Sequence, residues 1–179
     1  MKNYIYVDNS NVFIEGQRVS AVARGMATNI FEAMNARIVD HDWNIDYGRL
    51  YATVCGKPEE IGAANLWGSP PPGDTFWRMV ESCGFHVVTF PKSVEGKEKK
   101  VDVAIAHRMT KDAYTVINKA SSALVLVSGD KDFVPVVEDL TSEGFVVVVA
   151  FWAHAADELK KVATAFFDLN PHHKTISWT

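Results

Sequence analysis

Leu124-Val-Leu-Val-Ser-Gly-Asp-Lys-Asp132 is the stretch on which the fold turns. Four apolar residues run without a polar break, then stop at Ser-Gly and two acids. A strand with one wet face alternates apolar and polar residues, so an unbroken run marks a strand covered on both faces. Residues 145–151, Phe-Val-Val-Val-Val-Ala-Phe, form a second such run. Between the two, residues 133–140 carry a helical period that Gly144 stops. Strand, helix and strand in this order make a crossover unit, which pairs its strands in parallel.

The same alternation extends in both directions. Residues 4–7 read as a strand ending at Asp8, and residues 62–67 as a weaker one before the turn signal Ser69-Pro-Pro-Pro-Gly73. Residues 76–83 fit a helix stopped by Gly84, and 85–90 a strand closed by Pro91. Apolar residues at 101, 105, 109, 113, 116 and 117 predict a long helix over 101–117. A last helix is expected at 156–165 and a short strand at 166–169. The pattern predicts a three-layer α/β/α sandwich around a central, mainly parallel sheet. One domain is expected over residues 1–169, with an insertion of uncertain structure at 21–44 and a tail at 170–179.

Composition narrows the class. The chain has 179 residues, 47% hydrophobic, too apolar for a disordered chain and about right for one domain with a sizeable core. Its longest apolar run, residues 145–153, is far short of the ~20 residues of a membrane span. Cys55 and Cys83 are too few and too far apart for a disulfide framework or a zinc cluster, and are expected as buried free thiols. The start, MKNYIYVDNSN, lacks the features of a signal peptide, so a cytoplasmic protein is expected. A formal charge of −4 does not describe a globally basic nucleic-acid binder.

Ligands of open α/β sheets bind beyond the carboxyl ends of the strands, where strand order reverses. Asp8 lies at one strand end, Asp130 and Asp132 at another, and Asp102 opens the long helix. Four carboxylates in one pocket repel one another, and a hard divalent cation removes the conflict. Each acid also has a plainer reading. Asp132 can be a helix N-cap, and Asp102 a first-turn acid favoured by the helix dipole. Asp8 resists the cap reading because Asn11 can itself cap, and Asp130 resists it because it follows Ser-Gly behind a fully apolar strand. Residues 92–111 hold Lys92, Lys97, Lys99, Lys100, Arg108 and Lys111 against Glu95, Glu98 and Asp102. Such a basic loop suits a phosphate chain, or is simply a solvated face. Trp43, Trp67, Trp77 and Trp152 can stack bases or pack the core. The histidines at 41, 86, 107 and 154 make no metal spacing, and His172-His173 receives no function.

Three motifs resemble one family. Val7-Asp8-Asn-Ser-Asn11, Lys100-Val-Asp102-Val-Ala-Ile-Ala and Leu126-Val-Ser-Gly-Asp130-Lys-Asp132-Phe133 are similar to the successive motifs of NYN domains, a branch of the PIN-like nucleases. The similarity is greatest to LabA-like bacterial members and runs from about residue 3 to about residue 169. It implies a PIN-like fold and a metal-dependent ribonuclease that leaves a 3′-hydroxyl and a 5′-phosphate. It places the acidic set on Asp8, Asp102, Asp130 and Asp132, the motif asparagine on Asn11 and the motif serine on Ser128. Position 9 departs from the family, which often has Gly where this chain has Asn9.

Other sites with a metal or phosphate at a first strand fit less well. A von Willebrand A-type module needs Ser where Val12 stands, and a haloacid dehalogenase-type phosphatase needs an acid where Ser10 stands. The glycine fingerprint of dinucleotide binding is missing after the first strand. The expected function is therefore hydrolysis of RNA, most readily single-stranded. Asp8, Asp102 and Asp130 would hold Mg²⁺ or Mn²⁺, and Asp132 would be an outer ligand or orient the attacking water. Asn11 and Ser128 would support the acids, while Lys97, Lys99 and Lys100 would hold phosphates. The alternative is a non-catalytic RNA-binding or protein-interaction module on the same fold. A homo-oligomer is compatible with the sequence, but no stretch marks an interface. In 179 residues there is no room for a separate targeting domain, so selectivity is expected from the insertion, the basic loop or a partner.

Overall fold

Six strands form one sheet: β1 (Lys2–Asp8), β2 (Ile61–Gly68), β3 (His86–Thr89), β4 (Ser122–Val127), β5 (Val146–Phe151) and β6 (Ala165–Asp168). Their order is β3-β2-β1-β4-β5-β6, and every neighbouring pair is parallel. The computed structural model describes residues 1–69, 73–90 and 97–178, with the backbone alone at 97–100. The loop prolines 70–72 and Pro91 therefore lie outside the described residues, as do the side chains of Lys97, Lys99 and Lys100.

The unbroken apolar runs are covered on both faces, as their sequence requires. All six residues of β4 are buried, whereas the edge strands β3 and β6 have no fully buried residue. The chain steps outward from β1 to β3, then returns to β4 and steps outward the other way. Strand order thus reverses between β1 and β4, which pair from Lys2↔Ser122 to Val7↔Val127.

Seven helices complete the layers: α1 (Asn9–Ala23), α2 (Ile30–Asn35), α3 (Tyr47–Cys55), α4 (Asp74–Ser82), α5 (Lys97–Thr115), α6 (Val134–Ser142) and α7 (Asp157–Val162). Right-handed crossovers place α1, α3 and α4 on one face and α5 to α7 on the other. Contacts of α5 with α6 and of α6 with α7 agree with this.

The expected elements from residue 76 onward are present with shifted ends. Two helices are additions to the sequence reading. α1 follows β1 directly, and Asp8 caps it by accepting a hydrogen bond from the Asn11 backbone N–H (3.2 Å). Asp8 is thus the cap, and Asn11 lies inside the helix. α3 is capped by Asp46, whose carboxylate accepts from the Arg49 N–H (3.0 Å), and ends before Gly56 at φ 78°. Only glycine adopts such a backbone without strain.

Residues 21–44 hold the last turn of α1, α2 and a loop that returns to the core at Trp43. The return is decided by Gly16. A Cβ there would overlap the Trp43 ring and come within 2.8 Å of Trp152. Trp43 meets Trp152 edge-on at 5.9 Å, and the Trp152 indole N–H donates to the Val12 carbonyl (3.0 Å). Asp40 anchors the same loop by accepting from Ser20 (2.6 Å) and Arg24 (2.8 Å). Residues 170–178, expected as a tail, also pack: Ile176 is buried, and the His173 ring stacks on Trp43 at 5.1 Å. Trp43, Trp67, Trp77 and Trp152 are all core residues, so packing is their role rather than base stacking.

Both cysteines are free thiols. Cys55 is buried, and burial pushes its pKa up to about 12, whereas Cys83 is only half-buried.

Candidate metal centre

The end of β1 and the end of β4 lie side by side at the reversal of strand order. Each strand terminus leads into a tight turn. After β4 the chain passes through Ser128 and Gly129 to Asp130, which caps a short 3-10 turn over Lys131–Phe133 by accepting from the Asp132 N–H (2.9 Å). Gly129 is needed here, because a Cβ would overlap the Phe151 ring at the end of β5. The missing side chain lets the loop lie flat on that strand.

Asn11 ties the two turns together. Its side-chain oxygen accepts from the Ser128 hydroxyl and from the Gly129 N–H, both at 3.0 Å. The Ser128 hydroxyl has Asp8 Oδ2 as a longer second acceptor (3.4 Å), and itself accepts from the Asp130 N–H (3.4 Å). One buried hydroxyl therefore bridges the first acid to the third. Ser128 is fully buried and Asp8 nearly so, which keeps water from competing for these bonds.

Asp102 arrives from the first turns of α5, on the face toward β1 and the 3-10 turn. Ligand oxygens of Asp102, Asp130 and Asp132 lie within 4.8 Å of one another. Among the described residues this is the group of acids close enough to share a cation. Asp8 is not part of it; it sits beneath, engaged with Asn11 and Ser128. Asp132, expected as an outer residue, is exposed and stands within the group. Neither His nor Cys joins it: the His154 ring pairs with Glu15 (2.7 Å).

The donor set is made of carboxylate oxygens only. Three such charges at this separation destabilise one another unless a proton or a cation sits between them. Hard oxygen donors without nitrogen or sulfur fit Mg²⁺ or Mn²⁺ rather than zinc. Asp102 and Asp132 also line an open cleft of about 560 Å³, together with Lys131 and Glu158. The sequence reading did not single out these last two. Glu158 reads there as an ordinary first-turn acid of α7, and only the packing of α7 beside the 3-10 turn brings it to the cleft.

A family model for the NYN domain matches residues 4–170. The chain belongs to the NYN domain family. NYN domains are generally PIN-like nucleases, and the three-acid group is compatible with the divalent cation such enzymes use. In fold, this NYN domain is similar to the crystal structure of VPA0982, a protein of unknown function from Vibrio parahaemolyticus. The two share 20% identity and a TM-score of 0.66, over 94% of this chain and 92% of that one. No curated protein matches the chain. No helix among the described residues is long and apolar enough to cross a membrane.

Proposed function

We propose that this NYN domain is a metal-dependent ribonuclease acting on single-stranded RNA. The observation that carries the reading is the meeting of Asp102, Asp130 and Asp132, from two separate segments, at the reversal of strand order. These three would hold one Mg²⁺ or Mn²⁺ ion. When bound, the ion supplies a water acidic enough to attack at neutral pH and offsets charge on the phosphoryl oxygens. Asp8 would act through water or through Ser128, because its carboxylate is already engaged below the group. Asn11 and Ser128 hold the loop that carries Asp130.

Lys131 lines the cleft and would meet a phosphate beside the acids. Lys97, Lys99 and Lys100 precede Asp102 along the chain and would meet the phosphates that follow. In the reaction the water oxygen bonds to phosphorus, the P–O3′ bond breaks, and a proton passes to the leaving oxygen. The products are a 3′-hydroxyl and a 5′-phosphate.

The test is incubation of the purified protein with single-stranded RNA in Mn²⁺, in Mg²⁺ and in EDTA, beside an Asp130→Asn variant. Fragments are expected with metal, and none in EDTA or from the variant. Unchanged cleavage by Asp130→Asn overturns the proposal. Binding without fragments under every metal condition favours a non-catalytic RNA-binding module instead.

A further inference from the structure

A second cavity, of about 620 Å³, opens at the same end of the sheet on the other side of β1. It begins at Asn9, the residue after Asp8, and extends over the loop before α3, the end of β2 and α4. Its walls differ in kind from the acidic cleft. Among the described residues, no charged side chain lines it. Phe13, Phe76 and Trp178 supply aromatic surface, and Asn9 and Asn44 supply amides.

Trp178 is the unusual member. It is 66% exposed, yet its backbone is pinned. The Trp178 N–H donates to the Asn44 carbonyl (3.2 Å), and Ser177 bridges to Ile45 in antiparallel fashion. The Arg49 guanidinium donates to the Ser177 carbonyl (3.0 Å). An indole carried on a pinned backbone, with most of its surface in solvent, is a stacking surface with no ring partner among the described residues.

The amides are oriented as well. The Tyr47 hydroxyl donates to the Asn9 side-chain carbonyl (2.7 Å), and the Asn44 side-chain nitrogen donates to the Asp42 carbonyl (3.2 Å). What these two have left to offer is the Asn9 amide N–H₂ and, on Asn44, one N–H and the amide oxygen, so the lining presents both donors and an acceptor. An uncharged, flat group with both donors and acceptors matches this lining, and a phosphate does not.

We infer that this cavity takes an unpaired nucleobase, stacked on Trp178, of the same RNA strand whose phosphate reaches the acids. The inference rests on the ribonuclease reading of the acidic cleft and deepens it. The cavity is lined from α1, α3 and α4 and the acidic cleft from α5 to α7, so a strand that reaches both passes over the carboxyl edge of the sheet between them. A base within a duplex cannot enter without leaving its stack, so the cavity selects single-stranded substrate.

The test is fluorescence anisotropy of a labelled single-stranded RNA in EDTA, where binding is measured without cleavage. Trp178→Ala is expected to weaken binding about tenfold, as loss of one stacked base does. Ile14→Glu, at a half-exposed wall position, introduces a charge and should weaken it similarly. An RNA with abasic sites throughout should bind wild type and Trp178→Ala alike, and the same sequence as a duplex should bind less well than the single strand. Equal binding of wild type and both variants overturns the inference, as does preference for the duplex. Because binding is scored without metal, the base site can stand where cleavage fails, and cleavage can stand where the base site fails.

Discussion

Asn11→Ala separates support of the acids from stability of the fold. Asn11 accepts two hydrogen bonds at 3.0 Å, from the Ser128 hydroxyl and the Gly129 N–H. In the variant the Ser128 hydroxyl turns to Asp8 Oδ2, already at 3.4 Å, so that donor keeps a partner. The half-buried Gly129 N–H does not, at a cost of about 1–2 kcal/mol. Alanine within α1 is favoured over asparagine by roughly 0.5 kcal/mol, which offsets part of the loss. The net destabilisation is about 1 kcal/mol, or a melting temperature lower by about 2–4 °C for a chain of this size. The effect on turnover should be far larger. The bonds to Asn11 hold the Ser128–Gly129 turn, and Asp130 follows directly; a 1 Å misplacement of a reacting group costs about a hundredfold. The assay pairs a thermal melt with initial rates of cleavage of a single-stranded oligonucleotide at saturating Mn²⁺. A wild-type rate from a variant that melts lower would refute the reasoning. A fall in melting temperature beyond about 10 °C would also refute it, by making Asn11 chiefly a structural residue.

Other expectations follow from the same geometry. Gly16→Ala should lower stability by about 1–3 kcal/mol despite alanine's helix preference, because the new methyl overlaps Trp43; a neutral or higher melting temperature would contradict the packing. Mn²⁺ should raise the melting temperature by about 5–10 °C at a hundredfold excess over its dissociation constant, and Asp132→Asn should shrink the rise; an equal rise in the variant would remove Asp132 from the group. Burial lowers the pKa of His173 below its ordinary 6.5, with the Gly16 carbonyl partly offsetting it. The folded chain then binds this proton more weakly than the unfolded chain, so stability is full above 6.5 and falls as pH drops through it. His173→Phe keeps a ring against Trp43 and should flatten the fall that sets in below pH 6.5; an unchanged slope would assign it elsewhere.

The sheet was legible where burial alone dictates sequence. β4 and β5 are covered on both faces, and so read as unbroken apolar runs. The acids were legible because polar residues directly after such runs mark the carboxyl ends of strands. α1 was not, and the reason is physical. Its buried face includes Glu15, Gln17 and Ser20, each satisfied by a distant partner: His154, the Trp43 carbonyl and Asp40. A helix buried through polar bonds carries no apolar period to find. α3 offered more, since Asp46 caps it and Gly56 stops it, with Tyr47, Leu50 and Val54 on the buried face. Asn11 reads as the better cap in the sequence, yet Asp8 caps α1 with one oxygen and meets Ser128 with the other. That Asp132 rather than Asp8 stands in the close group of acids depends on side-chain depth, which no linear pattern records. The position of Trp178 depends on backbone pairing across the fold, from Ser177 to Ile45.

The pairing of β1 with β4 sets the order in which the candidate site is assembled. Asp8 and Ser128, and likewise Asn11 and Gly129, touch across nearly two thirds of the chain. Closing so long a loop precedes any reward from the contacts it makes, so this step is slow relative to local helix formation. A chain still emerging from synthesis can complete β1 through β3 before the acidic group is assembled. Asp130 does not exist for the first motif until β4 docks between β1 and β5. Recovery of activity during refolding should therefore lag helix content and coincide with closure of the central strand pair.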